Sequence, residues 1–216
     1  MEKYELTDIT MKYDGRTLFR IRALKDFADI KAGDLGGWVS DEYNLSQAGD
    51  CWIYNEAKCM DDARIYNNAK MYDNSKMYNC SLISDNSSMH EESSMYNNSS
   101  MRNNSSMHNN SSMFDYAEMR DNSKMYNCSS MHNSSKMYNN STLYDCSEMH
   151  GNSVIFDDST MKEYSQMHDN STMHNNSSMH DDSRMYNNSA LYDESKLYSN
   201  SVVRGYTALF GKSILF

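Results

Sequence analysis

Residues 53–76 read IYNEAK-CMDDAR-IYNNAK-MYDNSK, and the same six-residue beat runs without insertion to LFGKSI at 209–214. The span from Ile53 to Ile214 divides into 27 hexads. The first position is Met in 17 of them and Ile, Leu, Val or a single Cys in the rest. The fifth is Ser in 22, Ala in four (Ala57, Ala63, Ala69, Ala117) and Thr at 207. The second is mostly Tyr, His or Phe, the third and fourth mostly Asn or Asp, and the sixth varies among Ser, Lys, Thr, Glu and Arg.

An α-helix cannot produce this beat, because 3.6 residues per turn do not return to one face every sixth residue. A strand that turns a corner once per hexad can. Side chains alternate across a strand, so position one points inward while positions six and two point outward. Position five also points inward, at the corner, where only a small side chain fits. The Asn and Asp before it tolerate the left-handed backbone of a sharp corner. Three hexads then close one 18-residue triangular coil, and nine coils make a rod about 43 Å long at the usual strand spacing. A right-handed quadrilateral helix would need a five-residue period, which is absent.

Composition alone points elsewhere. Asn, Ser and Asp dominate, as in disordered chains. The periodicity overrules that reading, since a disordered chain has no reason to place Met every sixth residue. The core is expected to be thin and Met-rich, with thioethers packing adaptably. The buried corner hydroxyls are expected to bond a backbone group or the Ser of the next coil.

The hexad resembles that of the left-handed parallel β-helix, hexapeptide-repeat superfamily. The run GDLGGWVSDEYNLSQAGDCWIY at 33–54 is similar to the segment before the repeats in uncharacterised bacterial and phage hexapeptide-repeat proteins, some labelled acyltransferases. The resemblance covers essentially the whole chain. It implies an all-β, left-handed triangular β-solenoid of about nine 18-residue coils. It also implies either acyl transfer or a phage protein that acts on host components.

Residues 1–52 read as a small β-rich cap and residues 53–216 as the solenoid. Tyr4–Lys12 and Thr17–Leu24 flank Asp14-Gly15, a hairpin signal. In LFRIRAL, Phe19, Ile21 and Ala23 alternate with Arg20 and Arg22, as in a half-buried strand. A cap protects the open edge of the first coil. The far end carries Phe210, Ile214, Leu215 and Phe216, which either fold over that end or form an interface. A homo-oligomer is the expectation, and it agrees with the habit of the resembled superfamily.

Stacking coil on coil puts all seven histidines in the three outward columns of position two. One column holds Tyr78, Tyr96, Phe114, His132, His150, His168 and Tyr186, the candidate binding ladder for a protein partner or a small planar ligand. Its three consecutive histidines suggest a metal, but a straight column gives poor tetrahedral geometry and shows no fixed second shell, so neither metal nor cofactor is expected. Acyltransferases of the resembled superfamily use a His with a projecting loop at a subunit interface, and the 27 hexads contain no such loop. No catalytic residue stands out. A non-catalytic scaffold is therefore the leading expectation, with an acyltransferase-like enzyme as the alternative.

Ice binding would need uniform ranks of short hydroxyls, whereas large side chains stand on every face. A nucleic-acid mimic would need a stronger field than the net −7 of residues 53–216. The absence of a basic stripe argues against direct nucleic-acid binding. No apolar run approaches a membrane span. The start, MEKYELTDIT, lacks a signal-peptide pattern, which suggests a cytoplasmic protein with reduced thiols. Sequons such as that at Asn97 are then by-products of the repeat. Cys128 and Cys146 stand three hexads apart, so they fall at the same place on adjacent coils, within disulfide range. Two reduced surface thiols are expected there.

Overall fold

The computed structural model describes residues 2–216, which form a parallel β-solenoid behind an antiparallel hairpin. Strands β1 (Tyr4–Tyr13) and β2 (Arg16–Ala23) pair antiparallel across Asp14-Gly15. Both turn residues have positive φ, 47° and 74°, as a tight two-residue hairpin loop requires. Strand β2 pairs antiparallel with β3 (Leu35–Val39), and β3 starts the parallel stack by pairing with β5 (Lys58–Cys59). The hairpin thus extends one face of the solenoid instead of lying across its end.

The stack reaches back beyond the unbroken hexads. Val39 pairs with Cys59, and Leu45 bridges Ile65. Each of these steps is two positions longer than three hexads. From β4 (Trp52–Ile53) onward the step is three hexads, with Ile53 paired to Met71. A first coil therefore precedes the nine in the hexads, giving about ten turns. Its inward residues Val39, Leu45 and Ile53 are spaced six and then eight apart, and the longer second spacing hides it from a search for strict sixes. Gly36 and Gly37 make this coil possible. A Cβ at Gly37 would lie 2.3 Å from the Ile53 side chain, and one at Gly36 would lie 2.6 Å from Ile21 and Trp52.

The hexads turn alike. In most of them the position-five N–H donates to the position-two carbonyl, as Ser75 does to Tyr72 at 3.1 Å. All 27 third positions have positive φ, between 52° and 62° at the 24 non-glycine residues. Asn and Asp accept that conformation at small cost. They also bind the next coil. Asn127 Nδ2 donates to Asp145 Oδ1 at 2.8 Å, and Asp61 Oδ2 accepts the backbone N–H of Asn79 at 3.1 Å.

The core is one continuous column in which every position-one Met from Met71 to Met185 is fully buried. Burying each such side chain contributes about 1.5–3 kcal/mol, so the thioethers carry most of the apolar drive of a chain poor in Leu, Ile and Val. The corner serines depart from expectation. Ser87–Ser105 and Ser159–Ser177 are hydroxyl pairs at 3.2 Å, and Ser171 Oγ donates to the His168 carbonyl. Sixteen other buried corner hydroxyls have no protein partner. The coil spacing explains this: identical rotamers repeat at ~4.8 Å, beyond the ~2.8 Å of a hydroxyl hydrogen bond.

Candidate functional site

Position two follows the inward residue of each strand, so its side chain emerges beside the next corner and stacks on its copy one coil away. The candidate column is one unbroken stack of seven rings. Successive centroids from Tyr78 through Tyr96, Phe114, His132, His150 and His168 to Tyr186 are 4.7–4.9 Å apart, with planes within 10° of parallel. All seven residues are half-buried. A second stack runs from Tyr54 through Tyr72, His90, His108 and Tyr126 to Tyr144, where Lys162 replaces the next ring and lies over Tyr144. A third joins Tyr138, Phe156, His174, Tyr192 and Phe210.

Because the faces of interior rings contact their neighbours, a column offers solvent only ring edges, hydroxyls and imidazole nitrogens. In five of the seven histidines Nε2 is held by the side chain two places earlier on the same face. His132 Nε2 lies 3.0 Å from Ser130 Oγ, and His150 Nε2 lies 3.1 Å from Glu148 Oε2. His168 Nε2 is buried and has no protein partner. Burial in the stack pushes His132 and His168 below the usual imidazole range, and the neighbouring His150 adds to the effect. Burial does the same to His90, His108, His174 and His180.

Metal binding within the histidine trio fails on geometry. Rings that lie parallel at 4.7 and 4.9 Å hold their nitrogens about that far apart. Two imidazole nitrogens sharing one ion, each at ~2.1 Å, can be at most ~4.2 Å apart. Among the described residues, no group of three or more His, Cys, Asp or Glu side chains is disposed to hold a metal ion.

At the other candidate surface, Phe210, Ile214, Leu215 and Phe216 do not fold over the end. All four are exposed, Phe216 at 79 %, as is Tyr206 of the last coil at 90 %. Phe210 and Phe216 extend the stacks by packing on Tyr192 and Tyr198.

The cap contributes residues that sequence reasoning missed. Arg16 lies over Tyr78 and closes the N-terminal end of the seven-ring stack, where Met60, in the same outward column, is instead buried beneath Leu18 and Trp38. Lys3 is buried, with Nζ donating to the Cys51 carbonyl at 2.9 Å and to Cys51 Sγ at 3.2 Å. Nothing in the local sequence marks either role, since both depend on where the hairpin docks. A shallow cavity of about 370 Å³ is lined by Asp62, Arg64, Tyr66, Cys80, Ser81 and Leu82. It contains no histidine, and no loop projects from the hexads to deepen it.

No known family profile matches the chain. A stretch of 64 residues is 39% identical to the uncharacterized acetyltransferase YdcK of Escherichia coli K12, covering 26% of this chain and 20% of that relative. This short match and the parallel coils of three hexads each agree with a hexapeptide-repeat, acyltransferase-like architecture. The matched segment spans only a fifth of the relative's length, so the likeness bears on architecture, and this solenoid's activity has to be argued from its own surface. Among the described residues, no helix is long and apolar enough to cross a membrane.

Proposed function

We propose that this solenoid is a non-catalytic scaffold that engages a protein partner along the ladder from Tyr78 to Tyr186. The observation that carries this reading is the unbroken stack. Seven rings at 4.7–4.9 Å, all but Phe114 carrying a hydroxyl or an imidazole nitrogen, form a stiff strip whose geometry the coils dictate. Rigid aromatic side chains present large amphipathic contact area at little entropic cost. The occupied ring faces favour a protein over a small planar ligand, because such a ligand needs a free face to stack on.

The same reading places a second copy of the chain on the apolar C-terminal end, where large hydrophobic side chains stand exposed. Sedimentation of the intact chain and of Leu215→Asp tests this. A dimer that the substitution dissociates supports it, and a monomer at micromolar concentration retires it.

Three variants test the ladder, each carrying Ala at the aromatic and histidine positions of one column. Loss of partner retention in the Tyr78–Tyr186 variant, with retention kept in the other two, is the expected outcome. Full retention in all three would overturn the proposal.

Acetyl transfer is the second reading, and the name of the YdcK relative favours it. Its test is a saturable rise in melting temperature with acetyl-CoA, followed by product formation.

A further inference from the structure

The chain has five cysteines, and the fold sorts them into three environments. Cys51 and Cys59 are buried in the core. Cys80 is exposed, with Asp62 and Asn98 one coil to either side. Cys128 is exposed, and Cys146, half-buried, lies directly beside it on the next coil.

The register that aligns these two is fixed on both sides of the corner. Before it, Lys124 and Met125 pair with Thr142 and Leu143. After it, Ser130 and Met131 pair with Glu148 and Met149. Within it, the Tyr126 and Tyr144 rings stack at 5.1 Å, and Asn127 donates to Asp145 at 2.8 Å. Two residues held in register on adjacent strands have Cα atoms ~4.8 Å apart, inside the ~4.4–6.8 Å that disulfides span. Position four lies in the turn, where the backbone can adjust more readily than in the strand.

We propose that Cys128 and Cys146 form a thiol–disulfide exchange site that closes a cross-coil disulfide on reaction with a small disulfide such as glutathione disulfide. The more exposed Cys128 attacks first. Its thiolate breaks the S–S bond of glutathione disulfide, forms a mixed disulfide and releases one glutathione thiolate, which takes up a proton. Cys146 then loses its proton and attacks Cys128 Sγ, expelling the second glutathione. The protein gives up two electrons and two protons, and one glutathione disulfide becomes two thiols. Burial and the adjacent Cys128 thiol push the Cys146 thiol up, consistent with its role as the second, resolving thiol. The product adds a covalent cross-link between two successive coils that otherwise meet, beyond the chain that runs from one to the next, only through hydrogen bonds and packing.

Cys80 provides an internal control, because it is exposed but has no thiol beside it. The folded full-length chain is incubated with glutathione disulfide, alkylated, and mapped by mass under non-reducing conditions. The expected result is one glutathione retained on Cys80, and peptides containing Cys128 and Cys146 joined within one molecule, two hydrogens lighter and free of glutathione. In Cys128→Ser, Cys146 has no partner, and any glutathione it takes up stays on it. The proposal is overturned if Cys128 and Cys146 each keep a glutathione, if both stay reduced while Cys80 reacts, or if the cross-link joins two molecules.

Discussion

The guanidinium of Arg16 lies over the ring of Tyr78, 5.8 Å from its centroid, while Nε and Nη2 donate to the two carboxylate oxygens of Asp61 at 2.6 and 2.9 Å. One side chain of the hairpin thus closes the end of the aromatic stack and ties the cap to a corner of the solenoid. Replacing it with Ala should cost about 1 kcal/mol, since both partners remain partly solvated. Arg16→Lys should recover only part of this, lacking the planar fork. Urea unfolding midpoints of the two variants check both values.

The six-residue period makes the interior legible in the sequence alone, because position one and position five answer only to the coil. Met113 is buried for the same reason as Met131, and knowing one phase gives all 27 hexads. The first coil is not legible, because the longer spacing between Leu45 and Ile53 breaks the count. The settings of Lys3, Arg16 and Met60 escape sequence reading for a shared reason: they are decided by how the hairpin docks, which no period encodes. The column from Tyr78 to Tyr186 is legible as a stack. That its ring faces are used up follows from parallel planes, which the coil geometry supplies.

Corner serines without a partner should tolerate Ala. Ser129→Ala removes a buried hydroxyl that bonds to nothing in the protein, and Ala57, Ala63, Ala69 and Ala117 already occupy equivalent corners. A change within about 0.5 kcal/mol, or a gain in stability, is expected. Ser87→Ala strands the Ser105 hydroxyl and should cost about 1 kcal/mol or more. Thermal melts of the two variants, compared side by side, decide it.

Truncating the thioether column should be costly at any interior coil. Met113→Ala leaves a cavity that flanking coils cannot collapse into, because both are pinned by backbone hydrogen bonds. The expected loss is about 2–5 kcal/mol, against less than ~1.5 kcal/mol for Met113→Leu. Equilibrium denaturation of each variant measures the difference.

Acid should weaken the fold in two windows. Six histidines titrate below their ordinary value near 6.5 because the folded stack disfavours their charged form. The unfolded chain therefore takes up protons first, and stability falls as pH drops below about 6.5 towards the lowered folded values. Asp61 is held low mainly by its hydrogen bond from Arg16. Its contribution is present above the ordinary carboxylate range and is lost as pH falls through its depressed folded value. His132→Phe keeps the stack, as Phe114 shows, and should flatten part of the upper window. Melting temperatures between pH 8 and 5 give the slope of the upper window, and those between pH 5 and 2 give that of the lower.

The ladder is tested most directly by comparing two deletions for partner retention from a bacterial extract. Removing residues 107–124 takes out one whole coil, so His132 follows Tyr96 and the ladder survives without Phe114. Removing residues 107–112 takes out one hexad and rotates everything after it by one face. Arg120, Tyr138 and Phe156 then follow Tyr96, and the histidine run leaves that face. Both chains keep the inward phase and should melt cooperatively. If the ladder is the docking surface, the coil deletion retains the partner bound by the intact chain and the hexad deletion does not. Equal retention by both deletions, or no protein retained by the intact chain, would contradict it.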